Sequence, residues 1–169
     1  MMTTRLSTLA IKSRAIYILP MSKSLNSRTP ALEDFLCFSL YGAGLAMTRL
    51  YKPLLEPFNL TYPQYLVLTA LKEKGGVKVG ELGERLQLET NTLTPLVKRL
   101  EAAGLVSRQR DKADERVVRV ALTAQGQDVV IAAHACIPQQ VLEATGLSAE
   151  ELQDLNRKLK TLQAELVEG

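Results

Sequence analysis

Cys37 and Cys136 are the only thiols in 169 residues, and they stand 99 positions apart with the single histidine, His134, close to the second. A thiol can attack a peroxide or a disulfide as thiolate, ligate a metal, or fill a core. So few ligands, so far apart, fit neither a disulfide framework nor a zinc site. No metal and no cofactor is therefore expected. With no export signal, both thiols are expected to be reduced in the cytoplasm. The residues alone leave Cys37 open between an inert buried cysteine, among the most buried residue types, and a reactive one. No arginine or general acid lies at fixed spacing beside it, so the pattern supplies no catalytic residue.

The elements that must position these groups belong to one compact domain with a real core, which a chain of this length can bury. Charges interrupt every apolar segment before the roughly eighteen residues that a membrane span needs, so no membrane partner is expected. Residues 1 to 30 carry Arg5, Lys12, Arg14, Lys23 and Arg28 without an acid. No cleavage site follows an apolar core there. They are read as a disordered leader, with residues 1 to 20 upstream of an alternative start at Met21. The net charge of +3 falls to zero from Met21 onward, because 18 bases then face 18 acids. Only the local distribution of charge can speak about partners.

From Leu32, apolar residues recur at helical spacing through Leu36, Leu40, Ala43, Met47, Leu50 and Leu54, with a second set at Phe38, Tyr41 and Leu45. A helix apolar around so much of its girth is expected to lie in a subunit interface. "LTYPQYLVLTAL" predicts a helix entered at Thr61 or Tyr62 with Pro63 in its first turn, ended by glycine at "EKGGV". Two short helices follow, one burying Val79, Leu82 and Leu86, the other Leu93, Leu96, Val97 and Leu100. Pro95 is placed in the first turn of the second, with Asn91 or Thr92 as cap. "LVSRQRD" and "RVVRVALT" predict a hairpin around the polar tip "DKADE". Thr123 caps a helix through about Ala135, broken near Pro138. Ser148 and Glu151 form a capping box for the last helix, with Leu147 and Leu152 as staple. Its seam of Leu152, Leu155, Leu159, Leu162 and Leu166 calls for a partner helix.

Two short helices followed by a basic hairpin is the order of a winged helix-turn-helix, in a mainly α protein with a small β-hairpin wing. The second helix would enter the major groove, where Thr90, Asn91, Thr92, Thr94, Lys98 and Arg99 supply groups that read bases or hold phosphates. Seven bases and four acids lie between residues 98 and 119. The alternative for such a hairpin is a solvated edge that resists strand pairing.

"DERVVRVALTAQG", residues 114 to 126, resembles the wing signature of the MarR family of dimeric winged-helix transcription regulators. "LCFSLY", "LTYPQYLVL", "LGERL" and "TLTPLVKRLEAAGLV" are similar to its thiol-based branch that answers organic hydroperoxides. The resemblance spans residues 31 to 126. It implies one domain over 31–169, with the winged helix-turn-helix at about 60–123 and dimerisation helices at about 31–56 and 124–168. It further implies a homodimeric, cytoplasmic repressor that is not an enzyme, binds double-stranded operator DNA, and releases it when an organic hydroperoxide oxidises Cys37.

By that resemblance Cys37 matches the sensing cysteine near the start of the first helix. Tyr51 and Tyr62 match tyrosines that hydrogen-bond its sulfur from the other subunit; Tyr41 and Phe38 belong to the same pocket. A helix start and two phenol donors would favour thiolate, the form that attacks peroxides. Without the resemblance both tyrosines could be ordinary core residues. Thr90, Thr92 and Arg99 resemble base and phosphate contacts. Asp114 and Arg116 match a wing-tip pair whose arginine enters the minor groove, although Asp114 also suits any turn. One departure concerns the resolving thiol: Pro138, Gln139, Gln140 and Val141 are present, yet no cysteine follows them. Cys136 is then an inert helix residue, leaving a low-molecular-weight thiol to cap Cys37, or it is a relocated resolving thiol. His134 reads as a surface residue. Two alternatives stay open: release by a small aromatic ligand, with Cys37 merely lining a pocket, and a thiol peroxidase.

Overall fold

The computed structural model describes residues 30–111 and 116–168. The predicted leader before residue 30 and the wing-tip Asp114 lie outside them. Contacts divide the chain into two compact units, Met1–Ala46 and Met47–Gly169.

A 3₁₀ turn, Leu32–Asp34, precedes α1 (Leu36–Leu55), whose residues up to Ala46 belong to the first unit and whose remainder belongs to the second. The Asp34 carboxylate accepts the Ala31 N–H at 3.1 Å, and Phe35 is extended (ψ 126°). This interruption moves the start of α1 from the expected Leu32 to Leu36, so Cys37 is its second residue. Every described residue up to Ala46 is exposed, including Phe35, Leu36, Phe38, Leu40 and Tyr41.

In the second unit α2 (Tyr62–Glu73) starts as predicted: the Thr61 N–H donates to Gln64 Oε1 at 2.8 Å, with Pro63 in the first turn. Then come β1 (Val77–Lys78), α3 (Val79–Leu86), α4 (Thr90–Ala102), β2 (Val106–Arg110), β3 (Val118–Leu122), α5 (Ala124–Thr145) and α6 (Ala149–Glu168). The sheet has the order β1-β3-β2, antiparallel throughout, with Val77 opposite Val120 and Arg110 opposite Val118. Strand β1 was not predicted; two residues are too few to show alternation. Helices α2 to α5 and β3 enclose a core of Leu68, Leu71, Leu82, Leu93, Leu100, Val120, Val130 and Ile137, while Val79 and Leu86 pack at its edge. Leu96, expected inside, is only half-buried. Among the described residues no helix is long and apolar enough to cross a membrane.

Two predicted proline positions are corrected, the first-turn placement of Pro95 and the helix break at Pro138. Glu89 caps α4, its carbonyl accepting the Thr92 and Leu93 N–H groups at 3.0 and 2.9 Å. Pro95 is therefore inside the helix, on its exposed side, rather than in its first turn. Pro138 likewise lies within α5, which runs on to Gly146 in a left-handed cap (φ 66°). A helix-interior proline costs about 3 kcal/mol, and burial of Val130, Ala133 and Ile137 along the same helix can offset it. At α6 the capping box is present: Ser148 N–H donates to Glu151 Oε2 at 2.8 Å, and Glu151 N–H to Ser148 Oγ at 3.2 Å. The Ser148 N–H, and then its hydroxyl, both donating to the Glu151 carboxylate, hold that carboxyl below its ordinary pKa. Along its seam Leu155, Leu159 and Leu166 are exposed, and no described residue of α6 is buried.

The end of α4, both wing strands and the start of α5 meet at one junction. Thr123 Oγ donates to the Gly104 carbonyl at 2.7 Å and accepts the Gly126 N–H at 3.0 Å. The Thr123 N–H donates to the Leu105 carbonyl at 3.1 Å. A Cβ on Gly126 would stand 2.0 Å from that same carbonyl oxygen. Gly126→Ala is expected to lower the unfolding free energy by on the order of 3 kcal/mol, and Thr123→Ala by about 1 kcal/mol, with Thr123→Ser recovering most of the loss. Urea midpoints at unchanged m-value measure both effects.

Candidate nucleic-acid interface and thiol site

Helices α3 and α4 are joined by a turn that residue size dictates. Gln87 is left-handed (φ 54°), and the Leu88 N–H returns to the Gly83 carbonyl at 2.9 Å. A Cβ on Gly83 would lie 2.9 Å from the Leu88 oxygen, a distance that only glycine avoids without movement. Helix α4 then buries Leu93, Val97 and Leu100 and turns Thr90, Asn91, Thr92, Lys98 and Arg99 to solvent, with Thr94 half-buried. The Asn91 amide donates to the Glu89 carboxylate at 3.1 Å, and the Thr92 hydroxyl to Asn91 Oδ1 at 3.2 Å. Asn91 is thereby tied into the helix start. Lys98 and Arg99, among the described residues, have no ion-pair partner.

The basic wing sorts into two kinds of arginine. Arg108 on β2 donates from Nε to Glu101 Oε2 on α4 at 2.7 Å. Arg119 on β3 bonds Asp111 at the end of β2 and donates to the Gly76 carbonyl at 3.1 Å, beside β1. These two fasten the sheet and are not available as free cations. Arg116 lines a cleft of about 580 Å³ with Thr90 and Thr94, between α4, the start of α3 and the wing. The structure thus brings Thr90, Thr94 and Arg116 to one cavity and leaves Lys98 and Arg99 on the open face of α4.

Cys37 and Cys136 are both free. Cys37 is exposed at the start of α1 between Leu36 and Phe38, and Tyr41 lies one turn on, also exposed. In the second unit Tyr51 and Tyr62 pack ring on ring, with centroids 4.5 Å apart, and Tyr65 joins them at 5.9 Å from Tyr51. Burial raises the pKa of all three phenols above the ordinary tyrosine value. Tyr65 had not been singled out, although its three-residue spacing from Tyr62 puts both on one side of α2.

His134 is not the surface residue expected. Its ring meets Tyr65 edge-on at 5.8 Å, and its Nε2 lies 3.2 Å from the Thr69 hydroxyl. Burial, then the Lys72 charge, lowers its pKa. No sequence signal links positions 65 apart. Cys136 is half-buried, its thiol donating to the Ala132 and Ala133 carbonyls of its own helix at 3.5 and 3.6 Å.

Comparison with known proteins gives this arrangement a context. The family of SarA/Rot transcriptional regulators matches residues 49–132. The organic hydroperoxide resistance transcriptional regulator of Bacillus subtilis (strain 168) is 44% identical over 131 residues, covering 78% of this chain and 88% of that protein. The HTH-type transcriptional regulator TtmR of Methylorubrum extorquens (strain PA1) is 43% identical over 146 residues, covering 86% and 74%. Among solved structures, AbfR of Staphylococcus epidermidis superposes with a TM-score of 0.70 at 33% identity, covering 82% of this chain and 95% of that one. Reduced AbfR bound to DNA gives 0.66 at 34% identity, covering 80% and 93%.

The two kinds of arginine and lysine separate experimentally. Lys98→Ala is expected to weaken binding to duplex DNA and to reduce the slope of log K against log salt by about one, as loss of one phosphate contact does. Arg119→Ala is expected to leave that slope unchanged and to lower the urea midpoint instead. Fluorescence anisotropy across a salt series, beside urea unfolding, reads both.

Proposed function

The chain belongs to the MarR/SarA family of winged-helix transcription regulators, and from that premise we propose that it is a homodimeric, DNA-binding repressor that senses organic hydroperoxides through Cys37. The observation that carries the sensing role is the Tyr51–Tyr62 pair, two packed phenols whose pKa burial raises above the ordinary tyrosine value. In the dimer those phenols would donate hydrogen bonds to the Cys37 sulfur of the other subunit. The exposed apolar run from Phe35 to Leu45 and the exposed seam of α6 support the dimer, since a single chain leaves both uncovered. Thr90, Thr92, Thr94, Lys98, Arg99 and Arg116 would contact operator DNA. Asp114, proposed to orient Arg116, completes that set by resemblance. Membership in a family of regulators argues against the thiol peroxidase.

The chemistry balances with the peroxide as oxidant. Cys37 thiolate attacks the outer peroxide oxygen; an S–O bond forms and the O–O bond breaks. The alcohol leaves after taking a proton, and the sulfur, oxidised by two electrons, is sulfenic acid. A low-molecular-weight thiol then forms a disulfide with it and releases water. The backbone hydrogen bonds of the Cys136 thiol favour an inert role for that residue over a resolving one. A modified sulfur at a dimer contact would favour the state that does not hold DNA, and switching occupancy nearly fully takes about 5.5 kcal/mol of differential stability.

Reduced protein is expected to retain an operator fragment selected from random duplexes. One equivalent of cumene hydroperoxide plus a small thiol is expected to weaken that binding roughly a hundredfold, about 2.7 kcal/mol. Cys37→Ser is expected to stay bound. Gel shift beside intact mass spectrometry reads the outcome; a full peroxide response in Cys37→Ser would overturn the sensing role.

A further inference from the structure

Where α5 packs on α2, wholly within the second unit, Tyr65, Thr69 and His134 meet, and the oxidation step uses none of them. The Tyr65 ring is buried and lies 5.9 Å from Tyr51, which packs on Tyr62 at 4.5 Å. The same ring meets His134 edge-on at 5.8 Å. One turn along α2, the Thr69 hydroxyl lies 3.2 Å from His134 Nε2 and also hydrogen-bonds the Tyr65 phenol. Consecutive contacts thus run from the only histidine in the chain to the tyrosine pair.

A hydroxyl has a single proton to give, so Thr69 donates to one of these two neighbours at a time. With the imidazole neutral and Nε2 unprotonated, Thr69 donates to Nε2 and accepts the Tyr65 O–H. In the imidazolium both ring nitrogens carry protons; Nε2 then donates to Thr69, whose own proton turns to the Tyr65 oxygen. The Tyr65 O–H thereby loses its acceptor. Burial, then the Lys72 charge, lowers the His134 pKa and so favours the neutral ring. The remaining groups on the packed elements are engaged elsewhere: Tyr62 with Tyr51, Glu73 with Arg85, and Arg119 of β3 with Asp111 and Gly76. On α5 itself Cys136 stands two residues on, its thiol bonded to the helix carbonyls.

We propose that His134 is a positioning residue for the sensor: through Thr69 it fixes the Tyr65 phenol, and through Tyr65 the Tyr51–Tyr62 pair, so that protonation of this imidazole slows the oxidation of Cys37. This deepens the sensor reading and rests on it, since the tyrosine pair is the donor set assigned to Cys37. Donors stabilise a charged sulfur only as well as they are held in place. His134 takes no part in the O–O cleavage.

The test follows Cys37 oxidation by cumene hydroperoxide from roughly pH 4.5 to 8, the range in which histidine titrates, in wild type, His134→Gln and Thr69→Val. Glutamine accepts from Thr69 without titrating, and dividing the wild-type rate by the His134→Gln rate cancels the titration of the thiol itself. That ratio is expected to be about one at the alkaline end and to fall roughly fivefold at the acid end, the worth of one lost hydrogen bond. Its midpoint is expected below the ordinary histidine value of 6.5. Thr69→Val keeps the side-chain shape without the hydroxyl, and its rate divided by that of His134→Gln is expected to stay constant with pH. A wild-type ratio constant across the range, or a wild-type profile retained in Thr69→Val, would overturn the proposal. NMR reads the relay without the thiol: the Tyr51 and Tyr62 ring resonances are expected to titrate with the His134 ring in wild type and to lose most of that response in Thr69→Val. Tyrosine resonances that ignore His134 in wild type would overturn the relay. Tyrosines that titrate with it, together with no oxidation of Cys37 at any pH, would uphold the relay and remove the sensor.

Discussion

At the foot of the wing, the Leu105 carbonyl is approached so closely by the start of α5 that position 126 has no room for a side chain. Thr123 closes the same junction by donating to Gly104 and accepting from Gly126. Gly104 turns the chain out of α4 in a left-handed conformation (φ 73°), and β2 begins two residues later. The direction in which the wing leaves α4 is set there, and the long helix that follows inherits it. The cleft containing Thr90, Thr94 and Arg116 exists because these strands and helices are fixed relative to one another.

Charge in this region has two uses that composition cannot separate. Arg108 and Arg119 are held by Glu101 and Asp111 across element boundaries, so they orient the wing while adding nothing to its net charge. Lys98 and Arg99 are exposed on α4 and, among the described residues, have no such partners.

The thiol and the tyrosines belong to opposite regimes. Cys37 lies in an exposed apolar stretch, whereas Tyr51, Tyr62 and Tyr65 are packed against the core and one another. Preorganised donors change little when an anion arrives, which is what makes them effective partners for a charged sulfur. The proposed sensor would therefore depend on assembly of two chains, with the reactive atom and its donors coming from different copies.

Local patterns were legible wherever one short stretch carries its own physics. The caps at Thr61, Thr123 and Ser148, the apolar stripes of α3 and α4 and the existence of the hairpin follow from hydrogen-bond spacing and periodicity of neighbouring residues. Cys37 and the groups on α4 could be named for the same reason. The tertiary structure decided what depends on distant partners. Where Pro95 falls in its helix turned on the cap at Glu89, and whether Pro138 breaks its helix turned on burial elsewhere along it. Which arginines are struts turned on Glu101, Asp111 and Gly76. That His134 meets Thr69 and Tyr65 turned on α5 crossing α2. Sequence spacing encodes contacts within a turn or a hairpin, but a contact across the core is fixed only when all the elements pack at once.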